Sequence, residues 1–245
     1  MLKGLTFRGI PVANPDSGAL DAYLRLDTYG GMFTQPRVRK AHTLADEGSY
    51  FVVNNAQTAI VPTYGTAYSA TAPFIIVQNN APAGGPRTYI DYANLTAAVA
   101  GTFASGGVQT ALAVDVDLIP RFSSGGTNLT ANIVNPNTGS TAAPAVAVYC
   151  GALTALAASA NVRHVVGQRN IRPANSATVI GNIGDVIELT HGAVEGNVSS
   201  SSVVTNPLYV QQALPPIVLA PQTSALFYLY WPGATTPAAA TYLPE

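Results

Sequence analysis

The stretch from Thr110 to Phe122 constrains the fold most. Leu112, Val114, Val116 and Leu118 fall on one side of an extended chain, and Ala113, Asp115, Asp117 and Ile119 on the other. Alternation with period two over this length describes a half-buried β-strand and does not fit an amphipathic helix. Shorter apolar runs also carry a strand signal. Tyr50–Val53, Thr58–Val61, Ala72–Gln78, Thr88–Tyr92, Leu129–Val134, Ala145–Cys150, Val162–Val166, Thr178–Ile180, Val186–Thr190, Val203–Val204, Leu208–Val210, Ile217–Leu219 and Leu226–Trp231 all read as strands. Between them lie clusters that end strands, because proline lacks a donor and glycine permits positive φ. Examples are Pro82-Ala83-Gly84-Gly85-Pro86, Ser123-Ser124-Gly125-Gly126 and Asn135-Pro136-Asn137-Thr138-Gly139. Many short strands so separated predict an all-β jelly-roll or β-sandwich body. Leu95–Phe103 suits strand or helix, and Ala152–Ala160 fits one short helix. No fixed-period repeat occurs.

Residues 1–48 differ from the rest. They hold 11 of the 23 charged residues together with scattered Gly and Pro, and only Ala19–Leu26 has a short amphipathic run. This predicts an extended N-terminal arm or small subdomain over 1–48 and a sandwich domain over 49–245. Residues 173–245 contain no Lys or Arg.

Charged residues make up only 9% of the chain, against roughly 25% in a typical soluble domain. The longest uncharged apolar stretch, Thr141–Val162, is rich in Ala and is interrupted by Pro144, Gly151 and Asn161, so it does not read as a membrane span. Regular aromatic girdles, the mark of a membrane barrel, are missing, and the first residues lack an apolar core of signal-peptide length. The expectation is a soluble chain made in the cytoplasm. With few charges to keep it dispersed, its surface is expected to be covered by copies of itself or by a partner, since interface centres are depleted in Lys, Glu and Asp. A formal charge of −1 gives no basic footprint for nucleic acid.

Few residues have the pattern of a chemical site. Asp115 and Asp117 share a strand face, where a carboxylate pair would bind calcium or act on a glycosidic bond if Asp185 and Glu188 formed a second wall; the alternative is a polar outer strand face. His42, His164 and His191 lack ligand spacing, and the lone Cys150 follows a buried-strand pattern, as a small apolar core residue would. No cofactor, metal or catalytic residue is predicted. Asn94, Asn128 and Asn197 begin glycosylation sequons of the kind a Thr- and Asn-rich chain contains by chance. Two clusters stand out. Arg37-Val38-Arg39-Lys40 on the arm fits an acidic groove on a partner, through Arg37, Arg39 and Lys40, or else a solvated turn. In Phe227-Tyr228-Leu229-Tyr230-Trp231, period two puts Phe227, Leu229 and Trp231 on one face and Tyr228 and Tyr230 on the other. Those tyrosines suit a half-wet interface.

The strand–turn pattern from Phe51 to Val77, with Ile217-Val218-Leu219-Ala220-Pro221-Gln222-Thr223 and Tyr228-Leu229-Tyr230-Trp231-Pro232, resembles the cement (decoration) proteins of tailed phages. The resemblance implies a jelly-roll or sandwich module on the capsid lattice of a virion, a dimer or trimer that clamps neighbouring major capsid proteins. It carries over no functional residue. The expected function is therefore a non-enzymatic virion structural protein whose partners are the major capsid protein and itself, with no nucleic acid and no membrane. The alternatives are a receptor- or glycan-binding tail fibre or spike module, a glycosidase using Asp115 or Asp117, and a shell-forming coat protein.

Overall fold

The computed structural model describes residues 44–55, 59–63, 65–99, 110–171, 184–192, 209–232 and 241–244. The chain divides into two compact units, Met1–Phe51 with Asn135–Ala142, and Val52–Val134 with Ala143–Glu245. In the first, a helical turn at Leu44–Asp46 ends at Gly48. Asn135 Nδ2 donates to the Gly48 carbonyl at 2.8 Å and Asn137 Nδ2 to that of Asp46 at 2.9 Å. The expected arm lies mostly outside the described residues.

The second unit is all-β. Its strands are β1 (Val52–Val53), β2 (Ile75–Asn79), β3 (Thr88–Ile90), β4 (Tyr92–Val99), β5 (Thr110–Asp117), β6 (Phe122–Asn128) and β7 (Ile133–Val134). There follow β8 (Val146–Ala155), β9 (Arg163–Ile171), β10 (Val186–His191), β11 (Tyr209–Leu214), β12 (Ile217–Leu219), β13 (Thr223–Tyr230) and β14 (Thr241–Pro244). A six-stranded sheet runs β6-β8-β2-β13-β5-β9, antiparallel throughout. A four-stranded sheet runs β11-β10-β4-β14, with β10 and β11 parallel. Two short ribbons, β12-β3 and β1-β7, complete it.

The two larger sheets pack on one another as a sandwich. Leu112, Val114 and Phe227 from the large sheet and Leu95, Leu189 and Tyr242 from the small one share a single apolar cluster, which also contains Cys150 and Trp231. The other face of the large sheet carries a second cluster around Ile76, Leu226, Tyr228 and Tyr230. Central strand β13 is therefore buried along its whole length, which explains why Ala225–Trp231 reads as a continuous apolar run. Each fully buried Leu or Phe contributes roughly 1.5–3 kcal/mol.

Three expectations need correction. Residues 152–155 are strand, the end of β8, and not helix: Gly151, Leu153 and Ala155 are buried while Ala152 and Thr154 are exposed, the period of a strand with one covered face, and the segment pairs with β6. Ser123-Ser124-Gly125-Gly126 is not a turn but the middle of edge strand β6, where the register against β8 shifts at two places. Leu129–Val134 is a 3₁₀ turn, Thr130–Asn132, followed by a two-residue strand. The ambiguous Leu95 segment is strand as far as Val99. The strands expected at Thr178–Ile180 and Val203–Val204 lie outside the described residues.

Gly125 allows the β6 bulge. Its φ is +82°, and an added Cβ would stand 2.5 Å from the Ala152 carbonyl oxygen, a backbone atom that cannot yield. Gly84 has nearly the same φ, +81°, but open space around it. Gly125→Ala is expected to cost about 1–3 kcal/mol more than Gly84→Ala, read as the difference in urea midpoints. Equal losses would mean that the close approach does not matter.

Candidate functional site

The site grows from the second face of the large sheet, where β5 places Asp115 and Asp117 two residues apart. Neither lies on a polar outer strand face. Their relative exposures are 1% and 0%, because the loop around Tyr68–Thr71 and the segment after β8 close over them. Burial of a carboxylate is costly unless it is paired and fully hydrogen-bonded, and each has found partners.

Asp117 is paired with Arg121, four residues on across a turn containing Pro120. Arg121 Nη1 stands 2.7 Å from Asp117 Oδ2, and both side chains are completely covered. Asp117 also accepts from the Ser159 amide at 3.0 Å and from the Ser159 hydroxyl. Arg121 donates Nε to the Leu156 carbonyl at 2.7 Å and Nη2 to the Ala70 carbonyl at 2.8 Å. Burial alone would raise the Asp117 carboxyl, but the Ser159 donors and Arg121 outweigh it and hold the group below its ordinary range. One ion pair therefore clasps three chain segments: 68–71, 118–121 and 156–160. Neighbouring bonds reinforce it. The Ser224 hydroxyl donates to the Ile119 carbonyl at 2.8 Å, the Leu156 amide to Arg121 at 2.7 Å, the Ala155 amide to Thr71 at 2.8 Å, and the Tyr228 hydroxyl to Ala70 at 3.1 Å.

Asp115 holds a second set. Its Oδ2 accepts from the Tyr68 hydroxyl at 2.5 Å and its Oδ1 faces His164 Nδ1 at 2.8 Å. Burial first, and then the bond and charge of Asp115, push the Tyr68 phenol up to about 12, so it stays a donor at ordinary pH. The Tyr68 ring lies 4.8 Å from that of Tyr228 and 6.3 Å from that of Tyr230. A carboxylate on Nδ1 with Nε2 turned outward is the base–orienter half of a nucleophilic triad. The other half is missing among the described residues, where Asp115 is the one hydrogen-bond partner of His164. The His164 side chain is 61% exposed, so water is not excluded around it.

The remaining predicted residues do not converge here. Glu188 sits on β10 in the other sheet, where Gln211 Nε2 donates to it at 3.2 Å, and Asp185 immediately precedes that strand, so neither faces Asp115. Tyr228 and Tyr230 occupy the face opposite to Phe227 and Leu229, as period two requires, and are 1% and 5% exposed within the chain itself. Arg37, Arg39, Lys40 and His42 lie outside the described residues. Cys150 is buried in the first core, which pushes its thiol far up. Among the described residues no group of three or more His, Cys, Asp and Glu could hold a metal ion, and no helix is long and apolar enough to cross a membrane. Sequence reasoning missed Arg121, Ser159 and Tyr68. The available signal was an Asp and an Arg four apart across a Pro turn, in a chain where any charge is rare.

Compared with known proteins, the chain matches no family model, no curated protein and no solved structure.

Two predictions follow from the buried polar groups. Arg121→Met leaves the Asp117 carboxylate buried and unpaired and should cost about 3–5 kcal/mol. Adding Asp117→Leu should restore much of that loss, because an apolar pair of similar volume needs no solvation. Urea unfolding of both single variants and the double gives the coupling, and additive losses would contradict the clasp. His191 differs: it is nearly buried, with Nδ1 against the Pro215 carbonyl at 3.1 Å and no partner on Nε2. Burial lowers its affinity for protons, outweighing that carbonyl and the charge of Asp91. Above the unfolded value near 6.5 neither state binds the proton and His191 makes no difference. As pH falls below it the unfolded chain takes up the proton first, so stability is lost. Between pH 7 and 5 the fall in thermal midpoint should be smaller in His191→Gln than in the wild type.

Proposed function

We propose that this chain is a non-enzymatic structural subunit of a larger assembly, and specifically a capsid cement protein of a virion that bridges and stabilises neighbouring major capsid subunits. The observation that carries the assembly reading is how the clasp is used. The two carboxylates with any chemical pattern, Asp115 and Asp117, are both occupied in holding the chain's own segments. The segments they hold carry exposed apolar side chains: Tyr68, Leu118, Ile119 and Leu156 are four of the ten large apolar side chains exposed among the described residues. Catalysis would leave a polar group aimed at a sheltered cavity; here both carboxylates are buried, and His164 beside Asp115 is open to water. Rigid apolar surface that needs little ordering on contact suits binding between proteins. The poverty of charge supports the same reading, because burying such a surface strands few ions. The virion assignment rests on the resemblance in strand–turn style.

The test is particle mass. Virions that carry this chain should hold it in hundreds of copies, and deleting residues 1–40 should lower its occupancy on shells while leaving a folded body. Full occupancy after the deletion would remove the arm from the account. A handful of copies per particle would move the protein to the tail or a vertex, and absence from particles would end the virion reading.

A further inference from the structure

The few cations of the body are unevenly placed. After residue 48 the chain has no lysine and five arginines, and Arg163, Arg169 and Arg172 fall within one run of ten residues. From residue 118 to residue 184 there is no Asp or Glu. Arg121 is buried against Asp117. Arg163 and Arg169 belong to β9, the last strand of the six-stranded sheet. Its register against β5 sets Arg163 opposite Val116, Val166 opposite Val114 and Arg169 opposite Leu112, so both arginines take positions on one face of the strand. His164 is opposite Asp115 on the other face, where its Nδ1 stands 2.8 Å from that carboxylate and its ring meets Tyr68 edge-on. Arg163 is exposed and makes no ion pair among the described residues. Among the same residues β5 is the one sheet neighbour of β9, so every second backbone N–H and C=O along its outer side is open to a further strand.

We infer that the outer edge of β9 receives an extended acidic segment of a different protein as an added strand. The inference deepens the assembly reading above, rests on it, and names the kind of partner. The open backbone selects a strand, because an added strand supplies the missing donors and acceptors and its side chains supply the specificity. Charge selects its sign. Opposite charges facing each other across two strands stabilise the pair, and like charges destabilise it. The β9 edge of a second copy would bring arginine to arginine. The residues that guard this edge against self-pairing are therefore the ones that admit an acidic strand. Positions on one strand face recur at every second residue, so the partner segment carries its Asp or Glu with that spacing. A nucleic acid fits less well. It has no ladder of alternating donors and acceptors for the edge, and a chain of formal charge −1 gives it no long-range attraction. The edge is set before contact. His164 ties β9 to the buried Asp115 of β5 through side chains as well as backbone, so the partner orders little of this chain on arrival.

The test uses the isolated full chain, whereas the assembly reading is tested on particles, so the two can fail separately. The probe is a synthetic peptide of about ten residues, enough for one strand, in which Glu alternates with Thr. Fluorescence anisotropy should show binding that weakens as salt rises, and hydrogen exchange across Arg163–Gly167 should slow in the complex. Arg163→Glu should weaken binding by about tenfold or more and should instead take up the matching peptide with Lys in place of Glu. Arg87→Glu makes the same change of charge at an exposed position outside β9 and should have little effect. Methylating alternate peptide amides removes strand donors and keeps the charges, so one of the two alternate methylation patterns should abolish binding. No binding of the acidic peptide, equal losses from Arg163→Glu and Arg87→Glu, or full affinity for both methylated peptides would each overturn the inference. So would a single-stranded DNA oligonucleotide that binds more tightly than the peptide and is lost in Arg163→Glu.

Discussion

The ion pair between Asp117 and Arg121 sets the geometry of one end of the sandwich. Two charges removed from water at zero exposure are not an economical source of stability, because a well-packed apolar pair of the same volume often does as well or better. What the pair provides is position. A guanidinium is planar, with donors in fixed directions, and here three of them address three different acceptors: Asp117, Leu156 and Ala70. The carboxylate answers by fixing Ser159. An apolar replacement would fill the space without choosing where the segments at 70, 119 and 156–159 lie. The arrangement of the exposed side chains on those segments therefore depends on a polar contact none of them makes.

That contact is possible because β13 is central. Its neighbours β2 and β5 bury it from both sides, and its alternate residues feed two separate apolar clusters. Without the second cluster, the face of β5 that carries Asp115 and Asp117 would be in water, and the pair would be an ordinary surface ion pair contributing little. Tyr228 links the two features. Its ring is part of the second cluster and packs on Tyr68, while its hydroxyl holds the Ala70 carbonyl that Arg121 also binds. Apolar burial and polar fixation thus meet on one carbonyl oxygen.

Period and punctuation made the strands of the body legible. The two-residue alternation of β5, the split of the β13 aromatics between two faces, the limits of β12 and the burial of Cys150 all follow from side-chain chemistry that acts locally. What was not legible depended on what covers a face. Asp115 and Asp117 read as solvent-facing because an isolated carboxylate prefers water; only the loop at Tyr68 and the loop at Ser159, distant in sequence, reverse that preference. Asn79 does close β2, but its burial was not legible: its Nδ2 donates to the carbonyls of Pro86 and Leu219 and its Oδ1 accepts from the Ala81 amide. The glycines of β6 read as a turn because positive φ usually means one, whereas a bulge in an edge strand needs the same conformation.

The edges of the sheets give the poverty of charge a structural counterpart. An exposed strand edge invites pairing with another chain, and proteins commonly guard it with lysine or other charges. This chain has two lysines, Lys3 and Lys40, both outside the described residues. Edge strand β9 carries Arg163 and Arg169, and other edges are guarded by geometry. β6 is bulged twice against β8, and Gly125 and Gly126 at positive φ bend it away from a regular ladder. β5 and β9 also shift register twice. The outer side of β14 is occupied, since Ile60 exchanges both backbone bonds with Tyr242 and the Asn55 amide donates to Pro244. Along these edges a surface with few ions is thus kept from indiscriminate strand pairing.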